Sequence, residues 1–528
     1  MRRPCPFMAG ATLNPGIVYL IGAGPGDPGL ITVKGLDCLR RAEVVVYDYL
    51  ANPKLLEAAP AGAERIYVGK VRGHHHRPQE EINALLADRA RQGKVVARLK
   101  GGDPYVFGRG GEEALHLHRE GIAFEVVPGV TSSFAAAAYA GIPLTHRDFT
   151  TSLGLVTGHE HPEKKMSTLE WDKLATGVGT LVFYMGMANL ELIARELIAH
   201  GRPPTTPVAV IEWATTPRQR TLVATLATVV ERVESERLRP PAIIVVGEVV
   251  GLREQLRWFD NRPLFGKRIL VTRTAEQAGS FSQLLEAQGA EAISCPVIEI
   301  APPASFEELD QAIRRLGEID DLILTSANAV DTFFSRLRTA GRDLRALAGV
   351  TLVAVGPKTA AALAEHGLSA DLIPTDYRAE GVVKLLVERG VSGRRILYPR
   401  AELARELIRK ELAAAGAEVI APLTYRTVIP SHGGEDIRRR LEAGEIDAVT
   451  FTSSSTVENF LAMVGADAPQ LLQGVTIVSI GPLTTATAKK HGLQVDVEPA
   501  ASTLETMVEA MVVYFSEQPA ASNQEPGT

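Results

Sequence analysis

The chain is poor in cysteine, in surplus positive charge and in long apolar runs, and each shortage argues against something. Only three of its 528 residues are cysteines: Cys5, Cys38 and Cys295. They form no Cys-x-x-Cys pair and have no metal-ligand spacing. That argues against a disulfide framework and for a reducing compartment. Basic side chains number 56 against 62 acidic ones, a net charge of −6, whereas nucleic-acid binders usually carry a basic excess. An anionic ligand stays open, because a few local arginines can gather carboxylates. No run approaches the roughly 18 apolar residues of a membrane span. Arg2 and Arg3 stand near the start, but no apolar stretch of signal-peptide length follows. A cytoplasmic protein is expected, with neither nucleic acid nor membrane as partner.

What is present is patterned. The hydrophobic fraction is 45 % and the charged fraction 22 %, ordinary for globular protein. At roughly 150 residues per domain the length suggests about three or four domains. Asn14-Pro15-Gly16 is a turn signal, and Ile17-Val18-Tyr19-Leu20-Ile21 reads as a buried strand stopped by a glycine- and proline-rich turn over 22–29. A helix is expected at about 32–41 and a strand over 43–47. Strand and helix signals alternate to about residue 250, which implies α/β layers with a largely parallel sheet. The alternation pauses over 253–266, read as a linker, and the Ser-, Gln-, Asn- and Pro-rich end reads as a disordered tail.

The second half repeats itself. Lys267-Arg268-Ile269-Leu270-Val271-Thr272-Arg273 is similar to Arg394-Arg395-Ile396-Leu397-Tyr398-Pro399-Arg400, an offset of 127. Gly289-Ala290-Glu291, Glu318-Ile319-Asp320 and Thr325-Ser326 recur at the same offset. Gly356-Pro357 and His366-Gly367 recur at an offset of 125, with Val355 matched by Ile480. The pattern predicts two similar α/β units of about 125 residues with a ligand cleft between them.

The glycine turn at 22–29 is not a dinucleotide fingerprint. G-x-G-x-x-G needs glycine where Asp27 stands, and an acid there would repel pyrophosphate. The G-x-x-x-x-G-K-[ST] phosphate loop is absent too. A stiff turn, or a site for a ligand without phosphates such as a sulfonium, fits the residues. Together with a series of blocks further along the chain, the turn resembles the opening motif of the tetrapyrrole methyltransferases. Those blocks include Val46-Tyr47-Asp48, Val68-Gly69-Lys70, Lys100-Gly101-Gly102-Asp103-Pro104, Pro128-Gly129-Val130-Thr131-Ser132, Thr145-His146-Arg147, Tyr184-Met185-Gly186 and Pro241-Ala242-Ile243. They keep the family's order over about 16–250 and are most similar to uroporphyrinogen-III C-methyltransferase.

That resemblance implies two α/β domains and S-adenosyl-L-methionine as methyl donor, with no metal. It implies donor contacts at Pro25, Gly101, Gly102, Asp103, Val106, Thr131, Ser132, Met185 and Ala214, and a weaker one at Ala242. It implies Asp48 as proton acceptor and Lys70 as proton donor; as plain residues they could be a turn cap and a surface cation. It also implies a homodimer formed through this half. His74-His75-His76 point different ways in any extended segment and read as a solvated loop rather than a metal site. Arg72, Arg77 or Arg98 could help gather substrate carboxylates.

The C-terminal blocks resemble uroporphyrinogen-III synthase: the opening at Arg273, Leu324-Thr325-Ser326-Ala327-Asn328, Val355-Gly356-Pro357-Lys358-Thr359, Leu423-Thr424-Tyr425-Arg426, Phe451-Thr452-Ser453-Ser454 and Ile480-Gly481-Pro482-Leu483-Thr484. This implies two α/β domains joined by a slender strand pair, with the chain leaving the first domain and returning to it. It singles out Tyr425 as the acid that assists hydroxide loss from hydroxymethylbilane; an interdomain packing aromatic is the plain alternative. Arg273, Ser326, Thr359, Ser453, Ser454 and Thr484 are candidate substrate contacts, and the hydroxyl residues equally suit helix caps.

The expected fold class is therefore α/β, a two-domain tetrapyrrole methylase fold followed by a duplicated two-domain uroporphyrinogen-III synthase fold. The expected divisions are an extension 1–15, a methyltransferase 16–252, a linker 253–266, a synthase 267–515 and a tail 516–528. The implied substrates are hydroxymethylbilane and uroporphyrinogen III, and the implied product is precorrin-2, towards siroheme or cobalamin. The alternative is a methyltransferase carrying a non-catalytic two-lobed binding module. An NAD-linked oxidoreductase is disfavoured by Asp27.

Overall fold

The strand expected first forms as Ile17–Gly22, and its successive residues feed two different cores. Val18 and Leu20 pack with Val44, Val46, Leu86, Val96 and Leu117. Ile21 packs on the opposite face with Leu39, Val45, Ala97 and Leu99. Alternate side chains of a strand point to opposite faces, so a strand covered on both sides needs apolar residues throughout. In the computed structural model, which describes residues 16–69, 78–158, 169–430 and 433–518 apart from the side chains of 275–277, this strand lies inside a five-stranded parallel sheet. The order is Glu64–Tyr67, Val44–Tyr47, Val95–Lys100, Ile17–Gly22, Ala123–Val127. The helix expected at 32–41 is Val33–Arg40, capped by Thr32. Lys70, Arg72, Arg77 and the three histidines lie outside the described residues.

The following sheet departs from the parallel expectation. Its order is Leu153–Thr157, Thr180–Tyr184, Ala242–Val246, Pro207–Glu212, Arg220–Thr225, and only the first pair is parallel. Residues 213–219 turn the chain straight back as a hairpin, with Glu212 opposite Arg220 and their side chains 3.3 Å apart. No helix intervenes there, and a short connection allows only an antiparallel partner.

The segment read as a linker is packed. Arg253 is buried and donates to the Ala140 carbonyl at 2.5 Å while pairing with Asp260. Trp258 donates to the Ala138 carbonyl at 2.9 Å, and Phe259 is buried against Tyr139 with ring centroids 4.7 Å apart. The chain divides near Arg268 into two compact units, Leu284–Glu291 and the stretch from Val512 falling with the first.

The second unit holds two four-stranded parallel sheets. One is Glu291–Ser294, Arg268–Val271, Ala448–Phe451, Thr476–Ser479; the other is Glu418–Ile420, Arg395–Leu397, Asp321–Leu324, Thr351–Ala354. Shifting strands of the first sheet by the sequence offsets generates the second in the same order. The register repeats as well: Ile269 faces Ala448 and Leu270 faces Val449, while Ile396 faces Asp321 and Leu397 faces Leu322. The contiguous 125-residue units expected from the repeat are therefore not the lobes. Each lobe takes the first half of one repeat and the second half of the other. The chain leaves the first lobe, builds the second and returns, crossing on Glu299–Ala301, which pairs antiparallel with Leu423–Val428. A final helix runs over Leu504–Glu517, so the residues expected as tail begin inside it, and 519–528 lie outside the described residues. Among the described residues no helix is long and apolar enough to cross a membrane.

Candidate active site

Parallel strands deliver the loops that follow them to one edge of their sheet, where α/β proteins bind ligands. In the first unit the loops after Ile17–Gly22, Val95–Lys100 and Ala123–Val127 carry most of the donor-site residues singled out from the sequence, and the loop after Val44–Tyr47 carries Asp48. They cross by backbone. Gly24 N–H donates to the Gly102 carbonyl at 3.2 Å, and Gly102 N–H donates back to the Gly24 carbonyl at 2.9 Å. Both glycines have left-handed φ, 71° and 72°, which suits residues without a Cβ. At Gly101 the reason is space instead, since a Cβ would lie 2.5 Å from Leu50 Cβ.

Asp103 ties this crossing together. Its carboxylate accepts from the backbone of Tyr105 at 2.8 Å, Val106 at 3.2 Å and Gly129 at 3.0 Å. Thr131 Oγ1 lies 2.7 Å from the Tyr184 hydroxyl, which donates to Ser133 Oγ at 2.6 Å. Thr131 and Ser132 thus start the helix Ser132–Tyr139 against the end of a strand of the second sheet. Met185 follows that strand, half exposed. Ala214 sits between Trp213 and Thr215, and Thr215 donates to the Pro25 carbonyl while accepting from Asp27 N–H at 2.9 Å. Ala242 opens its strand opposite Glu212.

Among the described residues six that are not glycine have left-handed φ. Five of them, Phe107, Arg109, Met185, Trp213 and Thr215, belong to these loops. Such backbone costs on the order of 1–3 kcal/mol per residue and concentrates at functional sites.

Both carboxylate oxygens of Asp27 are engaged within the protein. One oxygen accepts from Gly29 N–H at 2.7 Å, capping the next turn, and the other accepts from the Tyr139 hydroxyl at 2.6 Å. Burial, reinforced by that bond, pushes the Tyr139 phenol well above its ordinary range.

Asp48 stands at the end of Val44–Tyr47, accepting from Leu50 N–H at 3.1 Å and paired with Arg98 at 3.1 Å. Its side chain is 24 % exposed while that of Arg98 is 4 % exposed. Arg98 also donates to Glu113 at 3.2 Å and to the carbonyls of Leu99 at 3.0 Å and Val46 at 3.5 Å. Lys100 donates to the same Glu113 oxygen at 2.9 Å. Burial, and then the neighbouring Arg98, push the Lys100 ammonium below its ordinary value. Arg98 is therefore committed inside the protein, and the expectation that it gathers substrate carboxylates is corrected.

In the second unit Tyr425 and Ser326 meet, hydroxyl to hydroxyl, at 3.1 Å. Ser326 also caps Ala327–Thr339 by accepting from Ala329 N–H. Tyr398 is buried nearby, its phenol pushed up by that burial. Ser453 forms a reciprocal capping box with Thr456, and Ser454 accepts from Thr487 at 2.7 Å. Thr359 and Thr484 are buried in equivalent first turns, 3 % and 4 % exposed, which withdraws support from substrate contact there. Arg273 follows the first strand, and partial burial lowers its guanidinium from the ordinary value. Among the described residues no group of three His, Cys, Asp or Glu side chains could hold a metal ion.

The first unit has the build of an α/β protein whose strand-end loops cross at close-packed glycines, and the second that of a two-lobed α/β protein with hydroxyls at its helix starts. Family models agree with this division: tetrapyrrole (corrin/porphyrin) methylases match residues 17–230 and uroporphyrinogen-III synthase HemD matches residues 279–509. The porphyrin biosynthesis protein HemD of Ruminiclostridium josui is 40 % identical over 94 % of this chain and 98 % of its own length. The uroporphyrinogen-III C-methyltransferase of Priestia megaterium is 53 % identical over 44 % of this chain and 98 % of its own. A Thermus thermophilus uroporphyrin-III C-methyl transferase, solved with S-adenyl homocysteine, is 45 % identical over 45 % of this chain and all of its own, with a TM-score of 0.39. The chain belongs to the family in which a tetrapyrrole methylase is fused to a uroporphyrinogen-III synthase.

Sequence reasoning missed Tyr184 as the hub of the helix start, Tyr139 as the partner of Asp27, and Glu113. Glu113 stands beside Glu112 at the start of an amphipathic helix, and only its spacing of four from Leu117 marks it as inward-facing.

Proposed function

We propose that this chain is a bifunctional enzyme of tetrapyrrole biosynthesis. The C-terminal half cyclises hydroxymethylbilane to uroporphyrinogen III, and the N-terminal half methylates that product twice with S-adenosyl-L-methionine, giving precorrin-2 for siroheme or cobalamin. The observation that carries the reading is the glycine backbone crossing beside Asp48. It lets backbone come close to a bound ligand next to a partly buried carboxylate. Pro25, Gly101, Gly102, Asp103, Val106, Thr131, Ser132, Met185 and Ala214 would hold the donor. When bound, it supplies an electrophilic methyl group. Asp48 then takes a proton from the methylated macrocycle, with Lys70 as proton donor. In the C-terminal half Tyr425 protonates the departing hydroxide while the lobes hold the chain for ring inversion.

Full-length protein given hydroxymethylbilane and S-adenosyl-L-methionine should yield a product carrying two added methyl groups by mass spectrometry. Without donor it should yield the type III isomer. Tyr425→Phe should slow cyclisation on the order of 100-fold and leave mostly the type I isomer, which forms unaided. Type I alone from the unaltered chain would make the C-terminal half a non-catalytic binding module.

The N-terminal half would pair with a second copy through an apolar groove of about 580 Å³ lined by Phe134, Ala138, Ile142, Leu144, Leu256 and Trp258. Phe134, Leu256 and Trp258 are 50 %, 48 % and 45 % exposed, and clustered apolar exposure of this kind marks an interaction surface. Sedimentation should give a dimer, and Phe134→Glu a monomer; a monomeric unaltered chain would refute the pairing.

A further inference from the structure

The cluster behind Asp48 is more elaborate than a turn needs. Glu113 is fully buried, yet it is held away from solvent by donors on three sides: Arg98 at 3.2 Å, Lys100 at 2.9 Å and Gln79 at 3.2 Å, all on one oxygen. Its other oxygen is buried with no hydrogen-bond partner among the described residues. A buried carboxylate with one oxygen unsatisfied is costly, and apolar side chains would fill the same space at less cost. Asp48, at the other end of Arg98, is the most exposed member of the chain Asp48–Arg98–Glu113–Lys100. Arg98 is shared between an interior acid and the acid at the cleft.

We propose that Glu113 is a positioning residue for methylation: from the interior it fixes Arg98 against Asp48 and takes up part of the guanidinium charge, leaving Asp48 oriented and able to accept the substrate proton. This rests on Asp48 being the proton acceptor. In that step a C–H bond of the cationic methylated macrocycle breaks, its electron pair stays with the ring system and cancels the charge, and the proton bonds to an Asp48 oxygen. A guanidinium without an internal counter-charge would bear wholly on Asp48 and make it a poorer acceptor. Lys100 can shed a proton to relieve a lost partner, whereas Arg98 cannot.

Among the described residues the groups facing Asp48 are Arg98 and Lys100 on the strand Val95–Lys100 and Tyr67 on the strand Glu64–Tyr67. Those facing Glu113 are Arg98, Lys100, Arg109 before its own helix, and the uncharged Gln79. Residues 70–77 lie outside the described residues.

The test is the pH profile of methylation in the full-length chain for Glu113→Gln and Arg98→Gln. Removing the interior anion should move the acid limb to lower pH, with a lower plateau. Removing the cation should move it to higher pH. S-adenosylhomocysteine titration and thermal denaturation establish that each variant is folded and binds. Opposite shifts support the proposal, since lost packing alone gives no sign reversal. Unshifted limbs, or shifts of one sign, overturn it. Should Glu113→Gln fail to fold, Glu113→Asp keeps the charge and should restore the unaltered limb, while Arg98→Gln alone still reads the sign. Asp48→Asn separates the two readings: if it retains full methylation, Asp48 is not the acceptor and the parent reading fails; if it is inactive while the limbs stay fixed, only the role of Glu113 fails.

Discussion

Asp48→Asn is expected to lose methylation by about 100- to 10 000-fold, the range associated with a positioned general base, with cyclisation by the other half unchanged. Asparagine keeps the volume and the oxygen that accepts from Leu50 N–H at 3.1 Å, so the turn should survive. Arg98 keeps Glu113 and two backbone carbonyls as acceptors. What disappears is the capacity to take a proton at the rim of the cleft. Donor binding should be unaltered, because none of the expected donor contacts is a hydrogen-bond partner of Asp48. Single-turnover methylation, scored by mass spectrometry beside an S-adenosylhomocysteine titration, checks this. A variant that methylates at the unaltered rate would remove Asp48 from the reaction.

The local parts of this fold were legible because they rest on short-range chemistry. The run Val18-Tyr19-Leu20-Ile21 reads as a buried strand because both its faces are covered, and Ser326 and Ser453 read as caps because hydroxyls satisfy free N–H groups at helix starts. Partners distant in sequence were not legible. Asp27 counted against a dinucleotide fingerprint, and only the fold brings Tyr139 to it across 112 positions. Arg98 suggested a carboxylate binder, and only the parallel pairing of its strand with Val44–Tyr47 points it at Asp48 instead.

The duplication shows the same limit in another form. A constant offset reveals that two stretches are alike, and the repeated register at Ile269 and Ile396 follows from that likeness. The offset is silent on which half-repeats pair. Swapping halves preserves every local strand and helix, so the exchange between lobes is decided by the crossover on Glu299–Ala301, a three-residue strand with little sequence signal. The second sheet of the first unit was misjudged for a related reason: strand and helix signals there do alternate on average, and the one missing helix, between Glu212 and Arg220, reverses the direction of the pair.

Gly129→Ala is the other substitution expected to be severe, and its effect comes from backbone meeting backbone. A Cβ at residue 129 would stand 2.4 Å from the Gly102 carbonyl oxygen and 2.6 Å from Gly22 Cα. Neither obstacle is a side chain that can turn aside. The Gly102 carbonyl is already fixed as acceptor for Gly24 N–H, and Gly129 N–H is held by Asp103, so relief must separate the three loops proposed as the donor cradle. Overpacking of this kind costs about 1–3 kcal/mol of stability. A displacement of about 1 Å at a reacting site can cost on the order of 100-fold in rate. Gly111→Ala is the matched control, since a Cβ there meets nothing within 4 Å in a helix and alanine is the better helix former. Calorimetric titration with S-adenosylhomocysteine should find binding weakened about 100-fold in Gly129→Ala and unchanged in Gly111→Ala, with a lowered Tm only in the former. Unweakened binding in Gly129→Ala would mean that the loops can part without disturbing the donor, and that the crossing is a packing feature rather than the cradle.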